Sequence, residues 1–71
     1  MHSATAQVMQ YFEYRHLPAY LQNISKACAE LAEQMAEVLP ENFEVTVGLR
    51  KLLEAKDCFV RAALSQPKTN G

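Results

Sequence analysis

Apolar residues recur at helical spacing along most of the chain. From Leu17 onward they stand at Leu21, Ile24, Cys28, Leu31, Met35 and Val38, in alternating steps of four and three. A heptad seam of this kind needs a helix, because only a period near 3.6 residues gathers those positions onto one stripe. A second seam runs through Val45, Leu49, Leu52, Lys56, Phe59 and Ala63, and the row Leu53, Val60 and Leu64 widens it. A shorter piece, Ser3 to Arg15, puts Val8, Met9 and Phe12 on one face, with Ser3 or Thr5 as its cap.

The breaks between these segments are equally readable. His16-Leu17-Pro18 ends the first helix, since a residue before proline avoids helical angles and proline suits the first turn of the next helix. The second helix then spans Pro18 to Leu39 and Pro40 stops it. Asn42 caps the third, Phe43 to about Leu64, with Glu44 opposing the positive end of its dipole. Residues 65–71, Ser-Gln-Pro-Lys-Thr-Asn-Gly, contain no apolar side chain and read as a disordered tail after a single domain, 1–64.

The expected fold is all-α: a short N-terminal helix followed by an antiparallel helical hairpin, assembled into a homo-oligomeric bundle. Two helices of about 22 residues, each about 33 Å long, joined by two or three residues, favour antiparallel packing. With the turn near Pro40–Glu41, facing residue numbers sum to about 81, which sets Glu30 against Lys51 and Glu33 near Arg50. A chain of 71 residues lies near the balance of burial against ordering even when it is compact. A hairpin is elongated, so the remaining apolar stripe calls for other copies of the chain.

Charge and composition narrow the function. Seven Lys and Arg against eight Asp and Glu leave a net charge of −1, which disfavours long nucleic acid or an anionic membrane as partner. No apolar run approaches the roughly 18 residues of a membrane span and no signal segment opens the chain, so the expected location is the cytoplasm. Two cysteines are too few for a secreted disulfide scaffold, and the hairpin register separates them by about 7.5 Å along the axis. Cys28, on the seam, reads as a small buried apolar residue.

Catalytic residues are not expected: no nucleophile stands beside a base, and Gly48 and Gly71 cannot form a phosphate-cradling loop. His2 and His16 lack metal-ligand spacing with a cysteine, so neither a metal nor a cofactor is expected. Lys56 sits among apolar seam positions, either as a register-fixing or snorkelling residue or as a cation lining a pocket between protomers. Arg50, Glu54, Asp57 and Arg61 form a ladder of i,i+3 and i,i+4 neighbours. Mid-helix Gly48 costs about 1 kcal/mol against alanine, which suggests close approach of another helix or a bound group. Tyr11, Phe12, Tyr14 and Arg15 cluster before the proline break. Tyr11 and Tyr14 share a face, as packing anchors or as a stacking platform for a nucleobase beside a cation.

The stretch Tyr14-Arg15-His16-Leu17-Pro18, then Ile24-Ser25-Lys26, and above all Leu52-Leu53-Glu54-Ala55-Lys56-Asp57 with Val60-Arg61-Ala62, resembles the helical hairpin domain of phage anti-CBASS sponges. A related hairpin occurs in the anti-Thoeris sponges. The resemblance covers about Tyr11 to Leu64. It implies a non-catalytic homohexamer, a trimer of dimers, that sequesters cyclic dinucleotides such as cyclic GMP-AMP between protomers in the host bacterial cytoplasm and so antagonises antiphage defence. It further implies that Tyr11 stacks a base and Lys26 holds phosphate. Arg61 would serve a separate cyclic-trinucleotide site, where members of the family carry a hydroxyl at the position of Cys28. Lys56, the cation read from the seam, is expected to assist. The rival expectation is an adaptor or oligomerisation hairpin whose partner is a protein.

Overall fold

The computed structural model describes residues 3–65. Helix α1 spans Ser3–Met9 and tightens into a 3₁₀ turn over Gln10–Phe12; α2 spans Ala19–Val38 and α3 spans Phe43–Ser65. The described residues contain no strand. The expected tail falls largely outside them. Ser65 itself belongs to α3, where its hydroxyl donates to the Ala62 carbonyl at 3.0 Å.

Two of the helix ends follow from local chemistry. Asn42 Oδ1 accepts the Val45 N–H at 3.2 Å, which satisfies one of the orphan donors at the start of α3. Pro18 precedes α2 and its carbonyl accepts from Leu21 and Gln22. The N-terminal helix, by contrast, ends at Phe12 and not at Arg15. Glu13 turns to extended backbone, and its Oε1 accepts the N–H groups of Tyr14 and Arg15 at 2.9 and 2.8 Å. Those donors are lost to any further helical turn, so the chain breaks five residues before the proline.

Val8 and Phe12 are buried and Met9 is half-buried, as the spacing of the first helix requires. They join Cys28, Ala29, Ala32 and Leu49 in one core, so all three helices contribute to it. Thr5 is not a cap: it is buried within α1 and shares a 3.2 Å hydrogen bond between hydroxyls with Thr46 of α3.

The buried face of α2 differs from the expected seam. Leu21 and Cys28 are inside, but their companions are Ser25, Ala29 and Ala32, while Leu31 and Val38 are exposed. Small side chains on that face let Phe12 pack close against the helix, and rotate the larger apolar residues outward. On α3, Leu49 is buried and Val45, Leu52 and Leu53 are half-buried, but Phe59 and Leu64 are exposed. The molecule measures 44 × 19 × 17 Å with a radius of gyration of 13.3 Å. A compact chain of this length would have a radius near 11 Å.

The charge pairs expected along and between the helices do not form. Among the described residues the ion pairs are Arg15–Glu13 at 3.2 Å and Lys56–Asp57 at 3.7 Å. Glu30, Glu33, Arg50 and Lys51 all remain at the surface, where solvation competes with pairing. No described helix is long and apolar enough to cross a membrane.

Candidate ligand-binding cleft

The 3₁₀ turn and the segment after it lie over α2 and α3 and leave a cleft of about 410 Å³. Its walls carry Tyr11, His16, Ser25, Lys56, Asp57 and Arg61. Three of the four ligand-binding residues expected from the sequence, Tyr11, Lys56 and Arg61, therefore meet at one place although up to 50 positions separate them. Lys26 is exposed on α2 and does not line the cleft.

Lys56 holds this arrangement together. Its ammonium donates to the Tyr11 carbonyl at 2.8 Å, lies 3.7 Å from Asp57 Oδ1, and stands 6.0 Å from the centroid of the Phe12 ring. Its side chain is only 12 % exposed, so these contacts are made largely out of water. Lys56 thus ties the N-terminal segment to α3 and lines a cleft within one chain. Tyr11 as a whole remains 60 % exposed, because its backbone carbonyl is the part that Lys56 holds.

Arg61 donates to Cys58 Sγ at 3.3 Å and, among the described residues, makes no ion pair, so its charge is available to the cleft. The ladder expected along α3 is replaced by these contacts. Tyr14 does not share a face with Tyr11, because the helix has ended between them. Instead Tyr14 lies under the Arg15 guanidinium, 5.0 Å from its ring centroid, beside a separate depression lined by Met9, Phe12, Ala29 and Glu33. Arg15 and two backbone N–H groups hold the Glu13 carboxyl below its ordinary value, the Arg15 amide being the largest influence.

Ser25 was not singled out by sequence reasoning as a functional residue. It is fully buried, lines the cleft, and its hydroxyl has no hydrogen-bond partner. A polar residue on an otherwise apolar helix face was the signal available. Cys28 lies one turn along the same face, where burial raises its thiol pKa and the Lys56 charge opposes that shift. Both thiols are free. Among the described residues no cluster of His, Cys, Asp or Glu could hold a metal ion.

A second concavity of about 500 Å³ lies between α2 and α3 near their connection, lined by Leu31, Met35, Leu39, Val45, Gly48 and Leu52. A Cβ at Gly48 would meet nothing within 4 Å. Close approach within the chain therefore does not explain that glycine.

No family model matches the chain, and neither a curated protein nor a solved structure matches it.

Proposed function

We propose that the chain is a non-catalytic sponge that binds and sequesters a cyclic dinucleotide, of the cyclic GMP-AMP type, and so blunts bacterial CBASS defence. The observation that carries this reading is the convergence of an exposed aromatic ring, Tyr11, with the cations Lys56 and Arg61 on one cleft. A ring and a charge-assisted donor are the two contacts that a nucleobase with its phosphate requires. In this reading α2 and α3 form an antiparallel hairpin and copies of the chain associate, six in the arrangement that the sequence resemblance implies. Lys26, which does not line the cleft of its own chain, then reaches the ligand of a neighbouring copy. Elongation and the exposure of Phe43, Phe59, Val38 and Leu64 support such association, since apolar surface left by one thin chain is covered by others.

The open groove at Gly48 supports a second reading, an adaptor whose α2 and α3 receive a protein partner. Scanning fluorimetry against cyclic di- and trinucleotides and cyclic ADP-ribose isomers separates the two. A sponge is stabilised by at least one cyclic dinucleotide, is weakened by Lys26→Ala without loss of assembly, and releases its ligand intact after heat denaturation. No thermal shift across the panel favours the adaptor, and recovery of a cleaved ligand would reveal an enzyme.

A further inference from the structure

Among the described residues, Ser25 Oγ is the buried side-chain polar atom that lacks a hydrogen-bond partner. Such a group normally finds protein or ordered water, because leaving it unpaired forfeits its hydration. A helical serine usually bonds back to the carbonyl one turn earlier, yet Ser25 does not. Alanine would suit the helix better and would match Ala29 and Ala32 on the same buried face. The hydroxyl is instead placed on the wall of the cleft that also carries Lys56, whose ammonium has a third hydrogen beyond its contacts with Tyr11 and Asp57. Arg61 brings a second positive group without an ion-pair partner among the described residues.

We propose that Ser25 is a ligand-binding residue, its hydroxyl donating to a phosphate oxygen that Lys56 and Arg61 hold at the floor of this cleft. The assignment rests on the sponge reading and adds to it a phosphate subsite formed within one chain. Glu13 and Asp57 also face the cleft and oppose an anion; Glu13 is paired with Arg15 and Asp57 with Lys56, which leaves Arg61 to supply the uncompensated charge. The hydroxyl is shut off from water in the free chain, so the ligand reaches it as Lys56 turns its ammonium from the Tyr11 carbonyl towards the phosphate.

The test is titration calorimetry of the full chain with cyclic GMP-AMP, wild type beside Ser25→Ala, together with the melting temperature of each without ligand. Loss of a hydrogen bond to a charged oxygen weakens binding about tenfold or more. The free variant should melt at or above the wild-type temperature, because the deletion removes an unpaired group. Equal affinity in both proteins overturns the assignment, and so does a lowered melting temperature with unchanged affinity, which would mean that an internal water already satisfies the hydroxyl. A wild-type chain that takes up no cyclic GMP-AMP sinks the sponge reading itself, and the subsite goes with it.

Discussion

Lys56 Nζ and the carbonyl oxygen of Tyr11 are 2.8 Å apart, so a side chain in the middle of α3 fixes the backbone of the 3₁₀ turn. The contact joins the N-terminal segment to α3 and leaves Tyr11 largely exposed. It also couples stability to the candidate site, since the cation that holds the turn lines the cleft.

Replacement of Lys56 by methionine tests that coupling, because the stem is retained and the ammonium is lost. A charged hydrogen bond of this kind contributes about 1.5–3 kcal/mol. For a domain of this size, 1 kcal/mol corresponds to about 4–8 °C in melting temperature. Circular dichroism should record a fall of that order, and trypsin should cut after Arg15 faster as the segment loosens. An unchanged melting curve would show that water replaces the contact at no cost.

The two thiols should react very differently. Cys58 is exposed, whereas Cys28 is buried and held protonated by its surroundings. Brief treatment with iodoacetamide at mildly alkaline pH should give a single adduct by intact mass, at Cys58. A second adduct should appear only in denaturant. Equal labelling would mean that the face of α2 carrying Cys28 opens readily in the native protein.

Glu13 gives a pH-dependent signature of the turn. Its folded pKa is depressed, so its contribution is complete above the ordinary value of 4.5 and is lost as pH falls through the lower folded value. The carboxyl lies at the surface, so the effect on global stability is slight, but it is visible locally. Amide resonances of Tyr14 and Arg15 should titrate with a midpoint below 4.5, and Glu13→Gln should abolish that titration. A midpoint at the ordinary value would mean that the turn frays in solution.

Gly48→Ala should stabilise the isolated chain by about 0.5–1 kcal/mol, since alanine is the better helix former and its methyl would strike nothing within 4 Å. Chemical denaturation at high dilution measures this. Sedimentation at higher concentration reads the other side of the same substitution: weakened self-association would place the Cα of Gly48 against another copy.

The helices were legible from periodicity because apolar spacing and caps are local properties. Asn42 begins α3 and Pro18 introduces α2 as their chemistry requires. The end of the first helix is not written in apolar spacing, because Glu13 ends it by folding its side chain back onto the backbone, well before the proline. The buried face of α2 departs from the heptad seam for a different reason. A heptad count weighs Leu31 and Val38 above Ser25, Ala29 and Ala32, yet the close approach of Phe12 favours the small residues.

Local patterning alone specifies three helical segments and the Asn42 and Pro18 signals that open α3 and α2. Tertiary structure alone decided which side chains meet: Tyr11, Lys56 and Arg61 together with an unpartnered Ser25, and Lys26 elsewhere. The physical reason is range. Helix formation depends on neighbours within a turn or two, whereas a cleft depends on how rigid helices lie against each other, and that is set by the sizes of the few side chains buried between them.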